Sequence, residues 1–161
     1  MMKKILLLCL TAGILLLAQT ESQAQQTYKN ALGGRLGTAN GITFKTFMTG
    51  DRALDFILNF RSNNNTSTFR FTGLYEIHDN INNAPGLRWY YGPGITVGSR
   101  NYKNNNDNDD LLVSIDGVLG LDYKFDGAPI NLALDWKPAI ELTPNTEFDA
   151  EGFGLSIRFT F

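Results

Sequence analysis

Few residues in this chain could carry chemistry. His78 is its only histidine and Cys9 its only cysteine. Nucleophilic catalysis needs a nucleophile, a base beside it and a group that orients the base. His78 is followed by Asp79 and Asn80 rather than by a hydroxyl residue, so it reads as a structural histidine facing a barrel interior or sitting in a turn. The run Asn101-Tyr102-Lys103-Asn104-Asn105-Asn106-Asp107-Asn108-Asp109-Asp110 offers oxygen ligands that calcium accepts. It lacks the fixed spacing and the glycine of a calcium loop, and reads as a solvated hairpin tip. No cofactor and no metal are expected. The remaining candidates are charges at alternate positions along apolar segments: Arg35, Lys45, Asp55, Arg61, Arg70, Glu76, Arg88, Asp116, Asp122, Lys124, Asp135, Lys137, Glu141 and Arg158. Charges gathered on one face of a sheet can pair into a self-neutralising network, or can line a path for protons or ions.

The elements that must position these charges are strands. No segment sustains an i, i+3, i+4, i+7 apolar pattern, whereas period-two alternation recurs between clusters of Asn, Asp, Gly and Pro. Leu54, Phe56, Leu58 and Phe60 alternate with Asp55, Ile57, Asn59 and Arg61. Phe69, Phe71, Gly73, Tyr75 and Ile77 alternate with Arg70, Thr72, Leu74, Glu76 and His78. The same pattern runs over residues 113–125, 130–137 and 153–161, and Leu87–Arg100, Ala31–Thr38 and Gly41–Phe47 bring the count to eight strands. Short links between them predict an up-and-down antiparallel meander closed on itself, which leaves no free edge. Pro93 and Pro138 fall inside predicted strands, where each removes a ladder donor. Bulges there would reverse the facing of the residues that follow.

The amino-terminal Met1-Met2-Lys3-Lys4, the apolar run Ile5–Ala18 and the small residues Ser22 and Ala24 form the pattern of a secretory signal peptide. Its apolar core is shorter than the roughly 20 residues of a membrane-spanning helix. Residues 1–24 are therefore expected to be cleaved, leaving 25–161 as one domain. The mature chain loses Cys9 and so has no thiol chemistry. It also loses Lys3, Lys4 and Glu21, which leaves 12 basic against 15 acidic residues with no basic run, a balance unsuited to nucleic acid.

Alternation does not say which face is inside. The polar face carries small residues (Gly33, Gly37, Gly92, Gly94, Gly98, Gly120, Gly154, Ser114, Ser156) between isolated charges, as suits a narrow lumen filled by side chains. Phe47, Tyr75, Trp89, Tyr91, Tyr123, Phe125, Phe159 and Phe161 fall near one level, which predicts an aromatic girdle at a membrane interface. Ten residues at about 3.3 Å each, tilted near 40°, span roughly 25 Å, the height of an outer-membrane apolar band. The expected fold is thus an all-β, eight-stranded antiparallel up-and-down transmembrane barrel.

The last segment, Gly152-Phe153-Gly154-Leu155-Ser156-Ile157-Arg158-Phe159-Thr160-Phe161, resembles the carboxy-terminal strand that outer-membrane barrels present to their assembly machinery. With the signal peptide and eight strands, the chain is similar to the small outer-membrane β-barrel proteins of Gram-negative bacteria, of the OmpX and OmpA membrane-domain kind. That resemblance implies outer-membrane localisation, outer-membrane lipid and the barrel assembly machinery as partners, and an assembly signal at Phe153, Leu155, Ile157, Phe159 and Phe161. It selects no extracellular partner. Outer-membrane lipid A deacylases resemble the chain in size and architecture, but they pair their histidine with a serine two residues later, where this chain has Asn80. The expected function is a non-enzymatic barrel with an envelope or loop-presenting role and a lumen filled by charges. A narrow ion or small-solute passage is the alternative, and a lipid-modifying enzyme comes third. A passage requires charges ranged along a wall, and a sealed lumen requires them in pairs.

Overall fold

The structure is a computed structural model that describes residues 28–102, 109–150 and 152–161. The expected signal peptide and the centre of the Asn/Asp-rich loop lie outside the described residues. All regular structure among the described residues is β: β1 (Asn30–Gly37), β2 (Asn40–Phe47), β3 (Arg52–Ser62), β4 (Thr66–Asn80), β5 (Leu87–Tyr102), β6 (Asp109–Lys124), β7 (Ile130–Trp136), β8 (Ala139–Thr143), β9 (Glu147–Asp149) and β10 (Phe153–Thr160). Neighbours pair antiparallel from β1 to β7, and β10 pairs with both β7 and β1. Both β7 and β8 pair with β6, so they are two halves of a seventh strand, and β9 and β10 are two halves of the eighth. The result is the closed eight-stranded barrel that the alternation predicts. Residues 139–143 and 147–149, which lie between the predicted strands 130–137 and 153–161, form β8 and β9.

Neither proline reverses the facing. Pro93 has no N–H to give, and the β4–β5 ladder skips it, but Leu74↔Gly94 and Ile77↔Tyr91 keep one offset on either side. A Cβ at Gly92 would lie 1.8 Å from the Tyr75 carbonyl oxygen, so only glycine lets the two backbones close up beside the missing bond. Pro138 interrupts the seventh strand, yet Gly120↔Asp135 and Asp116↔Ala139 again share an offset. The Gly117 N–H donates to the Pro138 carbonyl at 2.9 Å, and Asp135, Ala139 and Glu141 all point inward. The true irregularity lies beyond, between Val113 and Ser114, which pair with Thr143 and Glu141.

Asn30 and Phe161 lie together at one end of the barrel, here the terminal end, with the tight turns at 48–51, 81–86 and 125–129. Gly86 (φ 80°) and Gly127 (φ 70°) take left-handed conformations in two of them, where a Cβ would be strained. At the opposite, far end, β5 and β6, each 16 residues long, reach well past the 8-residue β1 and β2.

Polarity is inverted relative to a water-soluble barrel. Leu32, Ile42, Phe60, Ile95, Leu111, Ile115, Leu134, Leu155 and Ile157 are exposed on the outer wall, whereas Lys45, Asp55, Glu76, Asp122, Asn131 and Arg158 are buried inside. Trp89 stacks on Tyr91 (centroids 5.1 Å apart) and Tyr123 meets Phe125 edge-on at 4.8 Å, both pairs on the outer face near the terminal end. Phe47 does not belong with them. It lies two residues from Lys45 on one strand, so the pleat turns both inward, and it is buried with Tyr28, Ala31 and Ala53.

Candidate functional site

The lumen is built in layers. At the terminal end Tyr28 packs edge-on against Phe47 (5.3 Å), Phe47 meets the His78 ring (4.9 Å), and His78 stacks on Tyr90 (4.9 Å, 17° between planes). This row of rings crosses the barrel. His78 Nε2 lies 2.8 Å from Glu76 Oε2, which favours the tautomer with the proton on Nε2. Tyr28, just outside the spanning strands, is buried; desolvation raises its hydroxyl pKa well above the usual tyrosine range, with the Asp122 carboxylate adding to the shift.

Above the rings sits an ionic layer. Lys45 Nζ is 2.7 Å from Glu76, 3.6 Å from Asp122 and 3.9 Å from Asp55, and it lies 4.3 Å from the centre of the Tyr90 ring. Arg158 donates to Asp55 (2.6 Å), Thr43 (3.0 Å) and Asn131 (3.3 Å). Asn131 in turn donates to Asp122 at 2.8 Å, and Thr43 to Asp55 at 2.6 Å. Among the described residues Tyr28 Oη, Glu76 Oε1, His78 Nδ1 and Asp122 Oδ2 are buried without a hydrogen-bond partner, although Asp122 Oδ2 has the Lys45 ammonium at 3.6 Å.

The next layers repeat the theme. Arg35 makes a two-pronged bond to Asp135 (2.5 and 2.7 Å), and Tyr90 Oη donates to the same carboxylate at 2.8 Å. Asp116 accepts from Ser114 (2.8 Å) and from Thr96, and lies 3.4 Å from Lys137 Nζ. Ile57, Leu74, Val118 and Ala133 fill the space between. The inward glycines are matched to these large side chains: a Cβ at Gly154 would strike the Arg35 guanidinium at 2.2 Å, and one at Gly120 would meet the Tyr90 ring at 2.6 Å.

At the far end the packing opens. A cavity of about 390 Å³ is lined by Arg35, Asn59, Arg61, Arg70, Arg100 and Lys137 among others. Glu141 takes a 2.6 Å bond from Arg70 and lies 3.8 Å from Arg100.

The charges expected inside therefore divide. Arg35, Lys45, Asp55, Arg70, Glu76, Asp116, Asp122, Asp135, Lys137, Glu141 and Arg158 all make ion pairs. Among the described residues Arg61, Arg88 and Lys124 make no ion pair, each standing near a strand end. Arg61 is exposed in the mouth. Arg88 binds Asn80 Oδ1 (2.9 Å) and the Gly50 carbonyl (3.0 Å), and Lys124 caps the carbonyls of Phe125 (2.6 Å) and Ala128 (2.5 Å). Phe153, Leu155, Ile157, Phe159 and Phe161 all face outward. The lumen partners not anticipated are Tyr28, Thr43, Tyr90 and Thr96, whereas Asn131 shares the alternating face of Asp135. Tyr90 was findable, since it lies two residues from Arg88 and shares its face.

No family profile matches the sequence, and no curated protein does. Among solved structures the barrel is similar to the N-terminal β-barrel domain of Pseudomonas aeruginosa OprF, with a TM-score of 0.63 and 18% identity over 82% of this chain and 95% of that one. It is also similar to Neisserial surface protein A, with a TM-score of 0.54 and 9% identity over 82% of this chain and 93% of that one. At such identities the likeness is one of architecture: the chain has the closed eight-stranded antiparallel fold of these small surface and outer-membrane barrels.

Proposed function

We propose that this chain is a non-enzymatic integral barrel of a Gram-negative outer membrane, exported with loss of residues 1–24, whose lumen is sealed by its own side chains. The observation that carries the reading is the inverted polarity: an apolar outer wall that must meet lipid or be covered, around charges that bond one another. Its role is to contribute to the envelope and present the far-end loops, with the terminal end toward the periplasm. A passage has less support, because the lumen charges pair across the barrel and a row of rings closes one end. An enzyme has less still: His78 is buried between two rings and spends Nε2 on Glu76.

The test is fractionation followed by bilayer recording. The protein should stay with outer membranes after carbonate washing, run faster on gels unheated than boiled, and give no porin-sized conductance steps. Recovery in the soluble periplasm would end the membrane reading, and reproducible large steps would revive the passage.

The outward stripe ending at Phe161 serves, on this reading, as the assembly signal. Deleting Phe161 should lower the heat-modifiable band in outer membranes several-fold, while Thr160→Ser, on the lumen face, should be nearly silent. Equal bands would remove the assembly role.

A further inference from the structure

We propose that the far-end vestibule is a binding site for a small phosphate-bearing solute of sugar-phosphate size. Three adjacent strands carry its basic wall. Arg61 on β3, Thr68 on β4 and Arg100 on β5 stand on one rung, in direct register. Arg70 lies one inward position below Thr68 and faces Asn59 across the β3–β4 ladder. With strands about 4.8 Å apart, Arg61 and Arg100 root about 10 Å from each other, so both long side chains can lean over the Thr68 hydroxyl toward one anion.

The charge on this wall is not balanced as it is deeper down. Arg70 and Arg100 share a single carboxylate, Glu141, at 2.6 and 3.8 Å. Among the described residues Arg61 has no ion pair. Asp110 is the inward neighbour of Arg100 across the β5–β6 ladder and Asp149 lines the cavity, but among the described residues Asp149 is the one carboxylate of the lining, against Arg35, Arg61, Arg70, Arg100 and Lys137. On the opposite side, Arg35 and Lys137 line the floor but are held by Asp135 and Asp116. Arg70 and Arg100 are only 27% exposed, and partial desolvation makes a surplus charge attract an anion more strongly than it would in open water.

Chemistry and size narrow the ligand. Three guanidiniums offer more paired N–H donors than one carboxylate can accept, and a phosphate group with three terminal oxygens matches them better. The cavity of about 390 Å³ falls within the range of small-molecule sites, about 300–1,000 Å³. Asn59, Thr68 and Tyr102 line it as well and suit the hydroxyls of a sugar. The site needs only the barrel mouth, and holds whether or not the barrel resides in a membrane.

The test is calorimetric titration of the full barrel, refolded in detergent at low salt, with glucose 6-phosphate, glucose and galacturonate. Glucose 6-phosphate should bind saturably at one site, glucose should give no signal, and galacturonate should bind at least several-fold more weakly. Arg61→Gln combined with Arg100→Gln should weaken glucose 6-phosphate at least tenfold, with the heat-modifiable band retained. Glu141→Gln should tighten it, because the carboxylate competes with the ligand for Arg70 and Arg100. Arg52→Gln, exposed at the other end of the barrel, should change nothing. Absence of saturable binding, equal binding of galacturonate, an unchanged affinity in the double variant, or no tightening in Glu141→Gln would each overturn the proposal.

Discussion

The two ends of the lumen use the same residue types for opposite outcomes. Near the terminal end, Lys45, Arg158, Asp55, Glu76 and Asp122 are essentially without solvent exposure, and both of these cations touch a carboxylate. At the far end, Arg61 has no such partner among the described residues, and Arg70 and Arg100 divide Glu141 between them. Water makes the difference. An enclosed charge must be neutralised by the protein, because an unmatched ion in a low-dielectric interior is costly. A charge in an open mouth can rely on solvent, so a surplus is tolerated and becomes available to a ligand.

Replacing a cation in the closed layer is the hardest blow to that contrast. Arg158→Met leaves Asp55, Thr43 and Asn131 without their shared donor, and a destabilisation of about 3–5 kcal/mol is expected for breaking one side of a buried pair. Urea titration of the heat-modifiable form measures it. An unchanged midpoint would mean that the lower lumen is as hydrated as the mouth, and the contrast would fall. A smaller effect is expected from packing. Gly120→Ala sets a methyl 2.6 Å from Tyr90 and 2.7 Å from the Asp135 side chain, and overpacking of this kind costs about 1–3 kcal/mol. Gly73→Ala, whose nearest atoms lie at 3.9 Å, is the matched control and should be close to neutral in the same titration. The smallest change is expected at the mouth. Glu141 is itself largely enclosed, but its partners Arg70 and Arg100 reach solvent, so Glu141→Gln should cost about 1–2 kcal/mol, between an exposed and a fully buried pair. A loss equal to that of Arg158→Met would show the mouth to be as closed as the floor.

Much of this was legible in the sequence. Alternation from Leu54 to Arg61 and from Phe69 to His78 reports facing directly, because a strand has a period of two and each barrel face has one environment. The prolines looked more disruptive than they are. Pattern alone cannot register that Gly92 lets the Tyr75 backbone close up beside Pro93, or that the Gly117 N–H bonds the Pro138 carbonyl across the break, in both cases without a change of offset. Phe47 was misassigned because aromatic character suggested the girdle, although its spacing from Lys45 already turned it inward. The pairing of Arg158 with Asp55 or of Arg35 with Asp135 joins residues 103 and 100 positions apart. It depends on which strands meet across the lumen, something no local pattern carries. The basic wall of the mouth was hidden for the same reason, since Arg61, Arg70 and Arg100 become neighbours only once β3, β4 and β5 are in register.

The seam of the barrel separates connectivity from shape. Asn30 and Phe161 exchange two backbone hydrogen bonds of 2.9 Å each, so the first and last residues of the barrel lie side by side as if they were opposite positions in a hairpin. A short linker there would close the chain into a loop without disturbing a single rung, and the chain could then be reopened at the exposed 63–65 turn. Such a circular permutant would keep every lumen pair and every outward side chain, but would end on asparagine instead of phenylalanine. It would ask separately whether the barrel is stable and whether a cell can recognise where its chain stops.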